Sequence, residues 1–261
     1  MELNLNGKHA VVCGSTQGIG KAAAIELAKL GARITLVSRN EQKLVDTLRE
    51  LPVVDGIKHG YFVADSSKPE TWQQYFREFA ATNAVDILVN NSGGPAPGPA
   101  LDADPESYVQ AFTAHLIANQ ILTQAVVPQM KVRRWGRIVN IISTSVKIPL
   151  RGLGVSNTIR GAVANWSKTL SFELAPYGIT VNNVLPGATM TGRLEQIIAR
   201  NAEKKGISFE EEKQNVTREI PAGRIADPSE VAAAIAFLAS PAAGYINGIN
   251  VPVDGGRTGT L

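Results

Sequence analysis

Short apolar, β-branched segments alternate with longer amphipathic segments along almost the whole chain. The apolar segments predict strands at His9–Cys13, Arg33–Val37, Lys58–Val63, Asp86–Asn90, Arg137–Ile142, Thr180–Leu185 and Asn250–Val253. The amphipathic segments predict helices near residues 18–30, 40–51, 69–82, 104–132, 155–175 and 228–239. Nearly continuous apolar runs are typical of strands buried on both faces. The alternation therefore predicts one α/β domain over residues 1–261, a doubly wound parallel sheet built from right-handed βαβ units and flanked by helices.

Two stretches interrupt this alternation. The loop Gly93–Pro99 is rich in glycine and proline, so it cannot continue a strand or a helix. Residues 189–217 form a polar helical insert between Pro186-Gly187 and Pro221. Both stretches follow predicted strands at the edge of the sheet where α/β proteins bind ligands, and we expect the insert to act as a helical lid.

Composition and charge argue against several classes of function and partner. The chain has 261 residues, of which 44% are hydrophobic and 19% charged, and a net charge of +3. This charge is too small to indicate a nucleic-acid partner. The single cysteine, Cys13, excludes an internal disulfide, and the three histidines are too far apart in sequence to suggest a zinc site. Because neither a secretory signal nor a membrane span is visible, a cytoplasmic protein without a membrane partner is the expectation.

A glycine-rich turn joins the first predicted strand to the first helix. Glycines in this position allow a tight turn and let the backbone approach a pyrophosphate at the helix N-terminus. The spacing is G-x-x-x-G-x-G, and the alternative is a tight strand–helix junction without a ligand. Its place in the first βαβ unit favours nucleotide binding. The residues of the turn are Gly14, Ser15, Thr16, Gln17, Gly18, Ile19 and Gly20.

Several motifs in the order of the chain resemble the short-chain dehydrogenase/reductase family. They are the glycine-rich turn, Asn90-Asn91-Ser92-Gly93, Ser143, Pro186-Gly187 and Val253-Asp254-Gly255-Gly256. The resemblance runs from about Leu5 to Gly256 and is strongest to the subgroup of 3-oxoacyl-acyl-carrier-protein reductases and sugar or steroid dehydrogenases. It implies a Rossmann fold and a nicotinamide cofactor. Cys13 departs from the family, which usually has Thr at this position.

The end of the second predicted strand indicates which nicotinamide cofactor binds. NAD enzymes place an acidic residue there to accept hydrogen bonds from the adenosine ribose. This chain has Ser38 and Arg39 instead. An arginine suits a 2′-phosphate and Ser38 adds no repulsion, so the sequence favours NADP over NAD. The alternative is that Arg39 only covers the adenine ring.

The resemblance also implies the remaining cofactor contacts. Asp65 and Ser66 would flank the adenine, and Asn91, followed by Gly93, would contact the adenosine ribose. The segment after Pro186-Gly187 would hold the carboxamide through the Ala188-Thr189 peptide and the Thr191 hydroxyl. For each residue the alternative is an ordinary turn at the end of a strand.

The catalytic positions that the resemblance implies are largely substituted. The family uses a Ser that steadies the carbonyl, a Tyr that passes the proton, a Lys that binds the nicotinamide ribose and an Asn that holds a relay water. Counting along the chain puts Ser143 at the first position, Ser156 at the second, Arg160 at the third and His115 at the last. Arg160 can still bind the ribose hydroxyls. Ser156 is a much weaker acid than a phenol, and loss of a positioned acid lowers a rate by ~10²–10⁴.

Other groups near these positions have two interpretations each. His115 is a candidate proton donor because imidazole titrates near neutrality, but a neutral histidine packed between helices is the favoured interpretation. Lys147, Arg151 and Arg193 are compatible with an anionic substrate, although solvated surface charges are the favoured interpretation.

Three functions stay open at this level. The first is an NADP-dependent oxidoreductase of a small-molecule substrate with a substituted proton donor, and it is favoured because Ser143 and Ser38-Arg39 are retained. The second is an NADP-binding protein with little or no dehydrogenase activity. The third is a lyase or isomerase on the same scaffold. The segment Ile249–Gly256 resembles the subunit contact of the family, so a homotetramer or a homodimer is the expected assembly.

Overall fold

Parallel strands form the centre of the molecule in the computed structural model, which describes residues 1–52 and 56–260. The strands are β1 (His9–Cys13), β2 (Arg33–Ser38), β3 (Gly60–Val63), β4 (Ile87–Asn90), β5 (Gly136–Ile141), β6 (Ile179–Pro186) and β7 (Asn250–Val253). They pair in parallel in the order β3-β2-β1-β4-β5-β6-β7. β2 and β3 are added on one side of β1, and β4 to β7 on the other side. This reversal makes the sheet doubly wound, as the sequence predicted.

Helices connect the strands. They are α1 (Gly18–Lys29), α2 (Glu41–Glu50), α3 (Gln73–Thr82), α4 (Pro105–Phe112), α5 (Ala118–Arg133), α6 (Gly154–Leu174), α7 (Gly192–Lys205), α8 (Phe209–Arg218) and α9 (Pro228–Ala239). Local chemistry sets several of their ends. Asp227 and Glu230 form a capping box at the start of α9, with Pro228 in the first helical position. Within the described ranges, no helix combines the length and the apolar character that crossing a membrane requires.

Both faces of the sheet are covered. On one face, Leu27 of α1 and Ile235 of α9 pack with the strands in a core cluster. On the other face, Phe76 of α3 and Met130 of α5 belong to a second cluster. All four side chains are fully buried. Covered faces explain why the strands read as apolar runs without strict alternation.

The helical pattern predicted near residues 104–132 is confirmed, but the helix is not regular throughout. A π-helical turn, Thr113–Ile117, separates α4 from α5. Such a turn changes the rotational phase of the helix, and composition gives no signal for it. The predicted strand Lys58–Val63 is also shorter in the structure. The His59 ring nitrogen Nδ1 accepts the Ile34 N–H at 3.1 Å, so a side chain replaces the backbone partner before β3 begins.

A ladder of asparagine amides crosses one half of the sheet, from β4 to β7. Asn90, Asn140, Asn183 and Asn250 are register partners on β4, β5, β6 and β7. The amide nitrogens of Asn90, Asn140 and Asn183 each donate to the amide oxygen of the next asparagine in this order, at 2.8 to 2.9 Å. Because a shift of one residue would break every hydrogen bond between these side-chain amides, the ladder specifies the register of the four strands.

The predicted helical insert consists of α7 and α8. It leaves the sheet after β6 and returns to α9, and a parallel bridge between Thr189 and Ala226 closes its base. Thr191 starts α7, where its hydroxyl accepts the Leu194 N–H at 3.4 Å. The insert therefore stands over the carboxyl end of β6, at the edge where the sequence placed it.

Candidate functional site

A cleft of about 670 Å³ opens at the carboxyl ends of the strands. It is lined where β1, β2, β4, β5 and β6 end, on both sides of the reversal in strand order. This is the position at which open α/β sheets bind ligands. The predicted cofactor and catalytic residues that line it are Gly14, Thr16, Gln17, Gly18, Ile19, Ser38, Arg39, Asp65, Ser66, Asn91, Gly93, Ser143, Ser156, Arg160, Pro186, Gly187, Thr189 and Thr191.

The glycine-rich turn is tight and leaves the helix behind it uncapped. Gly14 has φ +58°, and a Cβ at Gly20 would overlap the Gly14 carbonyl oxygen. Ser15 is fully buried and ties the turn to β2, since its hydroxyl accepts the Val37 N–H at 3.0 Å. The N-cap residue of α1, Gln17, provides no side-chain cap, and the first turn contains no acidic residue. The N–H groups at this terminus are thus available to an anion.

The end of the cleft near β2 carries charges of both signs. Arg39 is exposed there, and Ser38 contacts Thr16, with 3.4 Å between the hydroxyl oxygens. Asp65 accepts hydrogen bonds from the Ser67 backbone and hydroxyl at 3.0 and 2.8 Å. Burial raises the pKa of Asp65, but these hydrogen bonds and the charge of Arg39 outweigh it and hold the pKa below its ordinary value. We call this part of the cleft the β2 end.

Ser143 follows β5 and is held by the turn behind it. Its hydroxyl oxygen accepts the Ser145 N–H at 3.1 Å. An acceptor contact of this kind fixes the oxygen and leaves the hydroxyl proton free to be donated. The side chain is partly exposed and lines the cleft. The arrangement offers one hydrogen-bond donor to a carbonyl oxygen.

Ser156 and Arg160 lie one turn apart on α6, and both line the cleft. The Arg160 guanidinium donates through Nη1 to the Ile141 carbonyl at 2.9 Å, which anchors it to the end of β5. Burial, and to a smaller extent the charge of Arg193, lower the pKa of Arg160 to about 10. Arg160 therefore stays cationic at neutral pH. We call the part of the cleft around Ser143, Ser156, Arg160 and Arg193 the β5 end.

His115 lies in the π turn and is buried behind the cleft wall. Only 2% of its surface is exposed, and it is absent from the residues that line the cleft. Its Nδ1 lies 2.5 Å from the Ser92 hydroxyl, and Ser92 does line the cleft. Burial and the charges of Arg160 and Arg193 lower the pKa of His115 to about 2. The histidine is thus neutral at physiological pH, and this environment favours the packing interpretation over an imidazolium donor.

Arg193 joins the insert to the loop Gly93–Pro99. It is the second residue of α7, and its Nη1 and Nη2 donate to the carbonyls of Gly94 and Pro95 at 2.9 Å each. The side chain also lines the cleft, where partial burial lowers its pKa. Of the three basic residues that were compatible with an anionic substrate, only Arg193 lines the cleft. Lys147 and Arg151 are exposed outside it.

Several polar residues of the cleft received no role from the sequence: Asn40, Lys43 and Ser67 near β2, and Ser92 and Asn119 farther along. Ser92 was quoted as part of a motif but received no role, and Asn119 on α5 was not considered. Asn119 lies four residues after His115, so a helical period would have put both on one face. The π turn breaks that period, and the cleft is lined by Asn119 but not by His115.

Cys13 also lines the cleft, but its chemistry is unsuited to catalysis. Burial raises the pKa of its thiol to about 12. A thiol with this pKa is not ionised at neutral pH, and the thiolate is the reactive form. Cys13 therefore acts as a small apolar side chain at the end of β1.

Comparisons with known proteins agree on one family. Residues 14–258 match the sequence profile of the family described as Enoyl-(Acyl carrier protein) reductase. The NADPH-dependent reductase BacG of Bacillus subtilis (strain 168) is 32% identical over 97% of this chain and 98% of its own. The 3-oxoacyl-acyl-carrier-protein reductase FabG of Aquifex aeolicus (strain VF5) is 31% identical over 98% of this chain and 99% of its own.

Solved structures give the same likeness in three dimensions. L-sorbose reductase from Gluconobacter frateurii, solved in complex with NADPH and L-sorbose, superposes with a TM-score of 0.93. It is 31% identical to this chain, and the match covers 100% of both chains. The likeness therefore extends over the whole sheet and its helices, including the elements that line the cleft.

Proposed function

This chain belongs to the short-chain dehydrogenase/reductase family, and we propose that it is an NADP-dependent oxidoreductase of a small carbonyl or alcohol substrate. The observation that carries the proposal is the single cleft that runs from the glycine-rich turn and Arg39 to Ser143. A bound nicotinamide would supply the hydride. The chain itself has to bind the cofactor, orient the substrate and handle one proton.

The cleft fits a dinucleotide with a 2′-phosphate. The uncapped N-terminus of α1 would hold the pyrophosphate, because its N–H groups have no side-chain cap and its first turn contains no acidic residue. At the β2 end, Arg39 is exposed and available to a phosphate, and Ser38 adds no negative charge. Asp65, Ser66 and Asn91 line the adjoining wall, as expected for the adenosine.

Ser143 would hold the substrate oxygen. Its proton is free to be donated because its oxygen already accepts the Ser145 N–H. When hydride adds to the carbonyl carbon, the C=O electron pair moves to oxygen, and the oxygen then takes one proton to give the alcohol. A fixed donor stabilises that developing negative charge more than it stabilises the neutral carbonyl.

Arg160 and Ser156 would occupy the positions of the family lysine and tyrosine. Arg160 is anchored to the Ile141 carbonyl, and its remaining N–H groups can bind the nicotinamide ribose hydroxyls. Its pKa of about 10 leaves it charged at neutral pH, so it does not donate a proton itself. Its charge would instead stabilise the alkoxide that forms.

The proton would come from ordered water relayed by the hydroxyls of the cleft. Ser156 and Ser92 both line the cleft, and His115 reaches it only through its contact with Ser92. His115 is therefore a positioning residue in this mechanism. A neutral ring with a pKa of about 2 can orient the Ser92 hydroxyl but does not act as an acid at neutral pH.

Calorimetric titration of the purified protein with NADPH, and with NADH in parallel, tests the proposal. We expect micromolar binding of NADPH and weaker binding of NADH. Carbonyl compounds are then screened for oxidation of NADPH. Binding of neither cofactor would contradict the proposal, and full activity of a Ser143→Ala variant would contradict the role of Ser143.

A second candidate function is NADP binding with little or no turnover. It is favoured by one observation, that His115 is buried and neutral while Ser156 is an alkanol, so no strong acid faces the substrate. Tight NADPH binding combined with no oxidation across the screen would identify this function. Measurable oxidation that Ser143→Ala reduces would exclude it.

We also propose that the chain forms a homodimer or a homotetramer through the end of the sheet that carries β7. Tyr245, Ile249 and Phe172 are exposed apolar side chains. They belong to one surface, because Asn247 donates to the Ser171 carbonyl at 2.9 Å and thereby ties the segment before β7 to α6. Clustered exposed apolar side chains favour burial in an interface. Sedimentation showing only monomer would contradict this assembly.

A further inference from the structure

We infer that the substrate carries an anionic oxygen group, a carboxylate or a phosphate, and that Arg160 and Arg193 bind it at the β5 end of the cleft. This inference rests on the proposed function, because the anionic group would accompany the carbonyl that Ser143 holds. It adds the class of substrate to the reaction. The two arginines reach the cleft from different elements, one from α6 and one from α7.

The β5 end contains cations without a compensating carboxylate. Asp65 is the acidic residue among those that line the cleft, and it lies at the β2 end with Arg39. Among the described residues, neither Arg160 nor Arg193 forms a salt bridge. Partly desolvated charges are costly unless they are paired, so an anion that enters between them is stabilised.

Both guanidiniums are held in place and still have donors to spare. Arg160 uses one contact, to the Ile141 carbonyl, and Arg193 uses two, to the Gly94 and Pro95 carbonyls. A guanidinium has five N–H donors, so each side chain retains donors after these contacts, and Arg160 does so even if two more of its N–H groups bind the nicotinamide ribose hydroxyls. Backbone anchors of this kind reduce the entropy lost when a ligand is bound. The pair is therefore preorganised for an oxyanion, which guanidinium groups bind through two parallel hydrogen bonds.

The two arginines are close enough to influence each other and His115. The charge of Arg193 lowers the pKa of Arg160, and both charges lower the pKa of His115. Like charges that face a common space repel, and an anion between them removes that repulsion. The neutral His115 adds no competing charge, because its imidazole is buried behind Ser92.

Arg193 also explains how the anion would be enclosed. It is the second residue of α7 in the insert, and it holds the loop Gly93–Pro99 through two carbonyls. A substrate bound to Arg193 would therefore be linked, through this side chain, to both irregular stretches of the chain. Affinity for the anion would be coupled to the position of the insert.

Matched pairs of neutral and anionic probes test the inference on the complex of the protein with NADP+. The first pair is 4-oxopentanoate and its methyl ester, and the second is dihydroxyacetone phosphate and dihydroxyacetone. Each probe is titrated calorimetrically into the complex. We expect the anionic member of at least one pair to bind about tenfold or more tightly than the neutral member, because a hydrogen bond to a charged group is worth that much. The pair that shows the preference identifies carboxylate or phosphate as the group.

Two variants separate the cleft arginine from surface charge. Arg193→Gln should remove most of the preference for the anion, whereas Arg151→Gln, which changes an exposed arginine outside the cleft, should retain it. Arg193→Lys keeps the positive charge but loses the planar guanidinium with its paired N–H donors, so we expect an intermediate preference for the anionic probe. If Arg193→Gln does not fold, the lysine variant and the exposed control still decide the question.

The outcomes distinguish this inference from the proposed function. Binding of NADP+ together with equal affinity for both members of each pair would overturn the inference and leave the proposed function intact. A preference that Arg151→Gln abolishes and Arg193→Gln retains would overturn it as well. Failure of NADP+ to bind would overturn the proposed function and, with it, this inference.

Discussion

The two ends of the cleft differ in how the charges of their arginines are compensated. At the β2 end, Arg39 is exposed and lies near Asp65, which has hydrogen-bond partners of its own. At the β5 end, Arg160 and Arg193 carry like charges, and their hydrogen bonds within the described part of the chain go to backbone carbonyls. Water and a nearby carboxylate screen the charge of Arg39, whereas Arg160 and Arg193 are partly buried and have no carboxylate partner among the residues that line the cleft.

Because of this difference, we expect the β2 end to select the cofactor and the β5 end to act on the substrate. An exposed arginine can discriminate between cofactors with little effect on the stability of the empty protein. Partly buried cations act more strongly on their surroundings: burial is the main cause of the lowered pKa values of Arg160 and His115, and the neighbouring arginine charges add to it. The β2 end should thus respond to changes of cofactor, and the β5 end to changes of substrate and pH.

The largest effect is expected in the glycine-rich turn, at Gly20. Gly20→Ala would place a Cβ against the Gly14 carbonyl, and the glycine-rich turn would have to open. We expect NADPH binding to fall below detection in calorimetry, together with about 1–3 kcal/mol of destabilisation from overpacking. Gly60→Ala is the matched control, since a Cβ there meets nothing within 4 Å. Unchanged NADPH affinity in Gly20→Ala would show that the turn does not hold the cofactor.

The next effect concerns the β5 end alone. Ser143→Ala removes the donor to the substrate oxygen, and loss of one such donor typically lowers kcat by ~10²–10³. NADPH affinity should remain within a few-fold of the parent, because the β2 end and the turn are intact. Ser143→Thr retains a hydroxyl and should keep part of the activity. Steady-state rates and calorimetry on the same samples check both statements, and a parallel loss of kcat and NADPH affinity would contradict the separation of the ends.

A smaller effect is expected at the β2 end. Arg39→Ala removes one charged hydrogen bond to the 2′-phosphate, worth about 1.5–3 kcal/mol, so NADPH should bind roughly 10- to 100-fold more weakly. NADH affinity should stay the same because NADH lacks that phosphate. Arg49→Ala changes an exposed arginine of α2 outside the cleft and serves as the control. Equal weakening of both cofactors would mean that Arg39 covers the adenine instead.

The fold was predictable from sequence for a physical reason, and parts of the site were not. Strands buried on both faces produce apolar runs, so the order and number of the βαβ units followed directly from the pattern. Ser143 was named through the family resemblance and Arg39 through its place at the end of the second predicted strand, and both line the cleft. The contact between Ser92 and His115 and the clasp of Arg193 on the Gly94 carbonyl were not predicted. Both contacts join segments that are remote in the sequence. The contact between Ser92 and His115 also depends on the π turn, for which the composition gives no signal.

The smallest effect is on stability at acid pH, and it comes from His115. Burial and the two arginines hold its pKa at about 2 in the folded protein, while the unfolded chain has the ordinary value of 6.5. Between these values the unfolded state binds more protons, so the free energy of unfolding falls as the pH falls, by up to about 1.4 kcal/mol per pH unit. His9, with a pKa of about 4, contributes in the same direction.

His115→Asn removes one of these two contributions and should flatten the acid side of the stability profile. Urea denaturation at about pH 7 and about pH 5 measures the change, and we expect the variant to lose about 1–2 kcal/mol less than the parent over this interval. The variant also keeps a side chain able to contact Ser92, so activity at neutral pH should fall only slightly if His115 acts by positioning. A profile of the same steepness in both proteins, or a His115 proton resonance that titrates near pH 6.5, would show that the β5 end does not suppress protonation of this histidine. The electrostatic difference between the two ends would then be much smaller than the geometry of Arg160 and Arg193 implies.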